Sequence, residues 1–382
     1  LNCISENREP QRAYYIPENG CTKLNGIWDF KFYECDFEEA YIEKEWEKID
    51  VPSCWQLRGY ENPNYTNVAY PYSYDPPYVP NNNPMGIYKR EFELQNVDCD
   101  TYIVFEGVSS CLELFINNRY VGYSQGSHLQ AEFDISNYVK KGVNTVTVKV
   151  RKWCLGSYLE DQDFFRFNGI FRDVYLLSRP KGHIRDINIT TDDNSINIVF
   201  EGSAQISLLD MEGKLLDKTF SKNTARFFVE NPVKWNTEKP YLYELLFEYE
   251  GEVISQKVGF VSYAIGENYE FLVNGTQVKL KGVNHHDTHP YNGWCMTDEE
   301  LMEDLLLMKK LNINTIRTSH YPPTPAFLDM GQLAMIGKGQ RNEAVCEAVV
   351  RNGALYLAAI GGAAANVIEE NTVEENKIEE NI

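Results

Sequence analysis

Short runs of β-branched and aromatic residues, separated by Gly, Asn and Pro, dominate residues 24–177. Residues 101–105 and 145–150 are two such runs, and together they predict the strands of an all-β sandwich. Residues 70–84, with the sequence YPYSYDPPYVPNNNP, contain too many prolines for a central strand, so they predict an extended surface loop. The tyrosines of this loop could stack on a ligand, but we favour the interpretation that they pin the loop in place.

A second series of β-type runs follows Arg179 and Pro180. It predicts a smaller sandwich that ends near residue 263. Its candidate strands are residues 187–191, 196–201, 204–209 and 242–249. Beyond it, Asn274 and Gly275 stand between two short apolar runs, and they predict a hairpin because both residues tolerate a positive φ.

The pattern then predicts a strand into residues 282–284, a helix at 298–311 and a strand at 313–318. Thr297 and Glu300 form a capping-box pattern at the start of the helix. Its predicted apolar face comprises Leu301, Met302, Leu305, Leu306 and Met308. A strand, a helix and a strand in succession are the opening of a parallel α/β barrel or layer.

The composition changes after residue 330. Residues 331–366 are rich in Gly and Ala, and residues 367–382 repeat a five-residue unit that contains Glu-Glu-Asn. On a helix, a spacing of five residues advances about 140° per repeat, so the apolar positions form no single stripe. We expect this acidic low-complexity tail to be mobile or disordered.

The overall charge limits the possible partners. The 382 residues carry a formal net charge of -20, which repels a phosphate backbone, and no basic stripe is interleaved with aromatics, so we expect no nucleic-acid partner.

No apolar run approaches the roughly 20 residues that span a bilayer, and the N-terminus lacks the charged and apolar blocks of a signal peptide. We therefore predict a cytoplasmic protein without a membrane partner. Because the chain opens on Leu1 rather than Met, the sequence leaves open whether a leader precedes it.

Nine cysteines are scattered singly along the chain. They lack the short paired spacings of a zinc site or a disulfide framework. We interpret them as mostly reduced, buried thiols.

Several longer motifs occur in a fixed order along residues 6–330. They are VPSCWQ at 51–56, YTNVAYP at 65–71, GYSQ at 122–125, DQD at 161–163, NGIFRDV at 168–174, KGVNHHD at 281–287 and RTSHYP at 317–322. Together they resemble the N-terminal part of a family-two glycoside hydrolase of the β-galactosidase type.

This resemblance implies a mainly β fold with three successive parts. They are a jelly-roll, galactose-binding-like sandwich at residues 1–180, an immunoglobulin-like sandwich at 181–263 and the truncated start of a (β/α)₈ barrel, also called a TIM barrel, at 264–330. The foreign segment at 331–366 resembles a piece of the C-terminal domain of class I fumarases and tartrate dehydratases, in which Lys338 and Arg341 would correspond to contacts with the substrate carboxylates. We interpret this piece as a strand and helix fragment without activity. We interpret the join as a chimera, which arose either biologically or through an error of sequence assembly.

The resemblance also implies four residues that face the galactose unit of a β-galactoside. They are Asn67 and Asp163 from the first sandwich and His286 and His320 from the barrel. Each can form a hydrogen bond with a sugar hydroxyl. Both histidines follow a predicted strand, where the active site of such a barrel lies. Seen alone, Asn67 and Asp163 are more typical of loop caps, whereas their motifs favour a substrate contact.

Some residues of these motifs are also candidate metal ligands. His285, His286 and His289 could form a metal cluster, although their spacing does not establish one. By resemblance, the family uses magnesium and sodium, and Asp163 matches a residue near the sodium ion. We expect this chain to bind neither ion properly, because the remaining ligands belong to segments beyond the match.

The catalytic carboxylates are also expected beyond the segment that the resemblance covers. Retaining glycosidases need two carboxyl groups about 5 Å apart. By resemblance these are glutamates after the fourth and seventh barrel strands, but the match stops near residue 330, after about two strands. Asn342 and Glu343 resemble the acid/base motif by coincidence, because their flanking residues do not fit.

The sequence thus predicts a hydrolase lineage that acts on terminal β-galactosides, inactive as this chain alone. The alternatives are a carbohydrate-binding remnant and a fragment complemented by a second chain that supplies the rest of the barrel. A barrel missing most of its strands leaves open sheet edges and an apolar helix face, so we expect residues 282–330 to pack poorly. The exact sugar, its linkage and the oligomeric state stay open.

Overall fold

The structure is a computed structural model that describes residues 5–40, 42–67, 70–236, 240–333, 346–349 and 356–359. Within these residues the fold is mainly β, as predicted. The expectations for Lys338, Arg341, Asn342, Glu343 and the tail at 367–382 lie outside the described residues, as does most of the segment at 331–366.

The first sandwich contains the first fifteen strands of the described chain. They are β1 (Ser5–Glu6), β2 (Cys21–Lys23), β3 (Gly26–Tyr33), β4 (Glu47–Val51), β5 (Asn64–Thr66), β6 (Met85–Leu94), β7 (Asp100–Phe105), β8 (Val108–Ser109), β9 (Cys111–Ile116), β10 (Arg119–Gln125), β11 (Ala131–Asp134), β12 (Gly142–Arg151), β13 (Phe164–Arg166), β14 (Gly169–Ile170) and β15 (Val174–Arg179). Both example runs from the sequence lie in strands, namely β7 and β12.

Two main antiparallel sheets form this sandwich. One has the strand order β1-β10-β9-β12-β6-β3-β4 and the other has the order β11-β7-β15-β2. Two short pairs, β5 with β13 and β8 with β14, lie outside these sheets. The pair of β5 and β13 positions two of the quoted motifs, because β5 overlaps YTNVAYP and β13 directly follows DQD.

The period of two along the strands builds the core. In β12 the side chains of Val146, Val148 and Val150 are buried, while the residues between them are partly exposed. Trp28 and Trp55 lie in the same core and are almost fully buried. Burial of each large apolar side chain contributes roughly 1.5–3 kcal/mol, so the core stabilises the sandwich strongly.

The second sandwich has five strands in the described chain, β16 (Ile187–Thr191), β17 (Ser195–Leu209), β18 (Leu215–Phe228), β19 (Tyr243–Tyr249) and β20 (Glu252–Val258). The predicted strands at 196–201 and 204–209 are one long strand, β17, with a register shift between Val199 and Ser203. Gly202 lies in that shift with a φ of 124°, a backbone conformation that favours glycine. The sequence missed β18, because most of its side chains are exposed and it lacks a buried face.

A buried ion pair joins the two sandwiches. Arg179, at the end of β15, donates two hydrogen bonds to the carboxylate of Glu252 in β20, at 2.7 and 2.8 Å. It also donates to the hydroxyl of Tyr15 at 2.9 Å and to the carbonyl of Ile184 at 2.8 Å. Both charged side chains are thus buried with their hydrogen-bonding groups partnered.

The remaining elements start the barrel and continue into the foreign segment. They are β21 (Tyr263–Ile265), β22 (Phe271–Val273), β23 (Thr276–Gln277), β24 (Gly282–His285), α1 (Asp298–Lys310), β25 (Thr315–Thr318), α2 (Pro325–Leu333), β26 (Cys346–Val349) and β27 (Tyr356–Ala359). The predicted hairpin is confirmed, with φ of 51° at Asn274 and 73° at Gly275. The strands β24 and β25 pair in parallel, as a barrel requires. In the segment interpreted as a strand and helix fragment, β26 and β27 form an antiparallel pair.

Helix α1 has the predicted capping box. The Thr297 hydroxyl accepts from the Glu300 amide at 3.3 Å, and the Glu300 carboxylate accepts from the Thr297 amide at 2.9 Å. Leu301, Leu305 and Met308 are buried against Phe327 of α2. The prediction was wrong for Leu306, which is 53% exposed, because it lies about 140° around the helix from Leu301.

In the described part of the chain, no helix combines the length and the apolar character that crossing a bilayer requires. The described cysteines are free thiols, as predicted. The expectation that they are buried holds for Cys54, Cys111 and Cys154 and was wrong for four others, which are partly exposed: Cys21, Cys35, Cys99 and Cys295.

Candidate sugar-binding site

Two of the predicted site residues follow the ends of parallel strands. His286 follows β24, and His320 comes two residues after β25. Because β24 and β25 are parallel neighbours, their carboxyl ends lie side by side. The two imidazole rings have centroids 5.5 Å apart and are almost perpendicular. The barrel start thus brings His286 and His320 together.

The other two predicted site residues lie at one end of the pair formed by β5 and β13. Asn67 follows β5, and Asp163 precedes β13. The antiparallel register pairs Thr66 with Phe164, so one more step along each chain places Asn67 opposite Asp163. Both residues are exposed. A hairpin-like pairing of segments almost a hundred residues apart therefore joins the two motifs.

Asp163 connects this pair to the histidines. Its carboxylate accepts a hydrogen bond from the Tyr65 hydroxyl, and that bond raises the pKa of Tyr65. Its negative charge also acts on His286 and His320, opposing the lowering of the pKa of each ring. Next to it, the Gln162 amide donates to the His320 carbonyl at 2.9 Å. The sandwich and the barrel start therefore meet at this point, and all four predicted residues belong to one region.

The geometry around His320 determines its tautomer. A guanidinium nitrogen of Arg317 lies 3.2 Å from Nδ1 of His320. Because a guanidinium can only donate, Nδ1 must accept, and the proton of the neutral ring must lie on Nε2. Burial lowers the pKa of His320, and the charge of Arg317 lowers it further. His320 is therefore neutral at pH 7 and offers Nε2–H as a hydrogen-bond donor.

Replacing Arg317 by Met should raise the pKa of His320 towards its ordinary value of about 6.5. In the neutral ring, the proton should then no longer be restricted to Nε2 and should also occupy Nδ1. The physical reason is the loss of both the donor to Nδ1 and the positive charge beside the ring. Nitrogen-15 NMR of the ring measures both quantities. Lys309→Met, a charge removal on an exposed position of α1, is the control. An unchanged tautomer and pKa in the Arg317 variant would contradict the assignment.

The alternative of a three-histidine metal cluster is not supported. His285 lies 3.3 Å from the Asp287 carboxylate and 3.0 Å from that of Asp304. His289 lies 3.2 Å from Glu300. Within the described residues, no group of three or more His, Cys, Asp or Glu side chains could hold a metal ion, and this includes the surroundings of Asp163.

An aromatic cluster packs the barrel start against the first sandwich. Trp294 is 4% exposed, and its ring centroid lies 5.3 Å from Phe164, 5.0 Å from Phe171 and 4.7 Å from His128. Tyr321 stacks on His128 at 4.1 Å. This cluster holds the barrel loops, and with them His286 and His320, against the segment that carries Asp163.

A cavity of about 320 Å³ lies beside this cluster. His320 and Gln162 line it on the side of the site, and Phe164 and Trp294 supply aromatic walls. Glu160 also lines it, with its carboxylate accepting hydrogen bonds from the Ser127 amide at 2.6 Å and hydroxyl at 2.8 Å. Burial raises the pKa of Glu160. The volume is at the lower end of the range for small-ligand pockets.

Contacts to Tyr158 hold the tyrosine-rich loop in place, while the side chains of Tyr74 and Tyr78 stay 67 and 70% exposed. Tyr70, Tyr72 and Tyr74 have ring centroids 5.7, 5.2 and 5.6 Å from the ring of Tyr158. The Tyr158 hydroxyl donates to the Tyr78 carbonyl at 2.6 Å. This agrees with the preferred interpretation from the sequence.

Sequence reasoning assigned no role to Tyr65, Gln162, Arg317 or Arg172, although all four stand inside the quoted motifs. Arg172 is buried and donates to the Pro322 carbonyl at 2.7 Å, which also ties the sandwich to the barrel start. Their position in matched motifs was the available signal. Their partners, however, are distant in sequence, so only the structure assigns their contacts.

Three models of one family match the chain in order. They are "Glycosyl hydrolases family 2, sugar binding domain" at residues 21–180, "Glycosyl hydrolases family 2" at 182–260 and "Glycosyl hydrolases family 2, TIM barrel domain" at 265–336. The chain belongs to glycoside hydrolase family two. This confirms the resemblance seen in the motifs. A fourth model, "Fumarase C-terminus", matches residues 315–380, which confirms the resemblance of the foreign segment and overlaps the barrel match.

Curated relatives of this family-two chain are β-galactosidases. The chain is 41% identical to the β-galactosidase of Staphylococcus xylosus, over 85% of this chain and 36% of that protein. It is 39% identical to the β-galactosidase of Actinobacillus pleuropneumoniae, over 86% of this chain and 35% of that protein. The chain thus spans about a third of the length of these relatives.

Solved structures show the fold. The β-glucuronidase of Ruminococcus gnavus matches with a TM-score of 0.69 and 21% sequence identity, over 85% of this chain and 58% of that chain. At this identity the likeness concerns the fold alone, and it agrees with two sandwiches followed by the start of a barrel.

Proposed function

We propose that this chain carries the part of a β-galactoside site that binds the terminal galactose unit, with Asn67, Asp163, His286 and His320 as sugar contacts. The observation that carries the proposal is the convergence of two motif pairs. One pair comes from β5 and β13, the other from β24 and β25, and the hydrogen bond from Gln162 to the His320 carbonyl joins them. The identity to β-galactosidases supports galactoside over other sugars.

The chemistry of these side chains suits a neutral polyol. The Asp163 carboxylate accepts hydrogen bonds from sugar hydroxyls, and His320 donates from Nε2. Asn67 can donate and accept. A retaining mechanism requires two carboxyl groups about 5 Å apart. Among the described residues of this site, Asp163 is the one carboxylate whose charge acts on the rings of both His286 and His320. We therefore infer that the chain binds a β-galactoside weakly and does not hydrolyse it alone.

Replacing Asp163 by Ala should weaken binding of a non-hydrolysable β-thiogalactoside by about tenfold or more, because a hydrogen bond to a charged group contributes about 1.5–3 kcal/mol. Saturation-transfer NMR and calorimetric titration measure the binding. Asp98→Ala, which alters an exposed carboxylate on the loop between β6 and β7, is the matched control. Equal binding by both variants would rule out Asp163 as a sugar contact.

Hydrolysis of a chromogenic β-galactoside tests the second half of the proposal. We expect no turnover by the purified chain. Turnover that disappears in Asp163→Ala would show that the chain carries its own catalytic carboxylates, whereas turnover that persists in the variant would identify a contaminating host enzyme.

The proposal also covers the magnesium and sodium ions that the family uses. We infer that neither magnesium nor sodium binds this chain tightly by itself, because no group of three or more His, Cys, Asp or Glu side chains among the described residues could hold a metal ion. We also infer a cytoplasmic location, based on the scattered free thiols, and no nucleic-acid partner, based on the net charge of -20.

A second candidate function is complementation by another chain. The outer face of α1 exposes Leu306, Leu307 and Leu311 by 53, 54 and 63%. The strands β24 and β25 form a two-stranded parallel sheet, and parallel sheets are normally covered on both faces. These surfaces would suit a partner that supplies further barrel strands and helices.

Co-expression with a β-galactosidase fragment that starts at its third barrel strand should restore hydrolysis of the chromogenic substrate. Leu311→Asp should reduce the recovered activity at least tenfold, because it places a charge in the apolar contact. Leu215→Asp, on an equally exposed leucine of β18, should leave it unchanged. Absence of hydrolysis with a soluble, co-purifying pair would contradict complementation and leave the carbohydrate-binding remnant as the interpretation.

A further inference from the structure

Two cysteine thiols from distant segments meet where the first sandwich contacts the barrel start. Cys54 directly precedes the short 3₁₀ turn Trp55–Arg58, and Cys295 lies two residues before Thr297, the cap of α1. Their sulfur atoms are 3.7 Å apart, although 241 positions separate them in sequence. We propose that Cys54 and Cys295 form a reversible disulfide that links the two parts of the folded chain when it meets a small-molecule disulfide.

The backbone on both sides already holds the sulfurs in position. The Cys54 carbonyl accepts from the Leu57 amide at 3.0 Å, and the following Trp55 amide donates to the Asn168 carbonyl at 2.9 Å. The Cys295 amide donates to the Asn292 carbonyl at 3.1 Å. A disulfide has a sulfur separation of about 2.05 Å, so each sulfur has to move by less than about 1 Å. Closure therefore needs side-chain adjustment rather than refolding.

The reaction is a thiol–disulfide exchange in two steps. The Cys295 thiolate attacks one sulfur of oxidised glutathione, which forms a mixed disulfide and releases one glutathione thiolate. The Cys54 thiolate then attacks the Cys295 sulfur, which forms the protein disulfide and releases the second glutathione. The two protons of the cysteine thiols end on the two glutathione molecules, and the oxidant takes up the two electrons.

Exposure determines which sulfur reacts first. Cys54 is 1% exposed, whereas Cys295 is partly exposed as a residue, so a small oxidant reaches the Cys295 thiol more readily than that of Cys54. The hydrogen bond shared with Cys54, followed by burial, raises the pKa of Cys295, and the Arg58 guanidinium opposes this rise. Because the thiolate is the nucleophile, the exchange is slow at neutral pH and accelerates as the pH rises.

The chain contains an internal control. Cys111 and Cys154 are also hydrogen-bonded to each other, but both are buried in the first sandwich, with exposures of 3 and 6%. An oxidant that acts on the folded chain should leave this pair reduced. An oxidant that acts on unfolded molecules has equal access to both pairs.

The test incubates the purified chain at pH 8.5 with oxidised glutathione, followed by peptide mapping by mass spectrometry and a thermal melt. We expect one cross-linked peptide that contains Cys54 and Cys295, free Cys111 and Cys154, and a Tm that rises and returns to its starting value with dithiothreitol. Cys54→Ser should stop at the mixed disulfide on Cys295. Cys21→Ser, which removes another partly exposed thiol, should cross-link normally.

The measurement on the unmodified chain is sufficient to overturn the proposal even where a serine variant does not fold. A mixed disulfide that persists on Cys295 of the unmodified chain would show that the sulfurs cannot close. Cross-links that include Cys111 or Cys154 equally would show oxidation of unfolded chains. Both outcomes are independent of sugar binding, so they do not bear on the proposed function.

Discussion

Glu252→Gln should lower the free energy of unfolding by about 3–5 kcal/mol, the cost of leaving one charge of a buried ion pair without its partner. Arg179 is 1% exposed and Glu252 3%, so water cannot replace the missing carboxylate. The substitution keeps the shape of the side chain, and the loss is therefore electrostatic. Because Arg179 also binds Tyr15 and Ile184, the effect should extend to the junction of both sandwiches.

Urea denaturation followed by circular dichroism measures this change. The matched control is Glu248→Gln, which disrupts the exposed pair of Lys218 and Glu248 at 3.4 Å. The two side chains of that pair are 42 and 48% exposed, so its loss should cost less than about 1 kcal/mol. Similar midpoints for both variants would show that the buried pair contributes little.

Trp294→Ala should destabilise the contact between the barrel start and the first sandwich by about 3–5 kcal/mol, the usual cost of deleting a buried tryptophan side chain. The indole touches Phe164, Phe171 and His128, and the surrounding aromatic rings cannot close the void completely. Since His286 and His320 are held by this contact, weak sugar binding should be lost together with the packing.

Amide hydrogen exchange of residues 282–330 measures the loss of packing, and the sugar titration measures its consequence. Leu307→Ala, on the exposed face of α1, is the control and should leave both unchanged. Trp294→Phe should recover most of the protection, because it keeps a ring in the cluster. Sugar binding that survives in Trp294→Ala would place the site in the first sandwich alone.

Local patterns allowed the prediction of elements that are stabilised within a short segment. The alternation in β12 and the capping box of Thr297 and Glu300 are such patterns, and both were confirmed. Elements without a local signal were missed. The strand β18 exposes most of its residues, and α2 lies immediately after a proline-rich turn. The placement of Leu306 on the buried face was wrong, because this residue lies about 140° around the helix from Leu301.

The candidate site also depends partly on local motifs and partly on contacts between distant segments. The motifs identified Asn67, Asp163, His286 and His320, but neither their order nor their spacing shows that they meet. The pairing of β5 with β13 and of β24 with β25 brings them together, and the aromatic cluster around Trp294 joins the two pairs. The role of Arg317 depends on its 3.2 Å contact with Nδ1 of His320 and on its charge beside that ring, and no sequence pattern encodes this proximity.

By itself, therefore, the sequence determined the mainly β fold through local periodicity and the family through ordered motifs, and the resemblance to that family implied the four candidate contacts. The tertiary structure decided which residues are neighbours. It placed Asn67 opposite Asp163, set the tautomer of His320 and brought Cys54 to Cys295. The physical reason is that strand register and domain packing depend on contacts between residues far apart in the chain, and periodicity does not encode them.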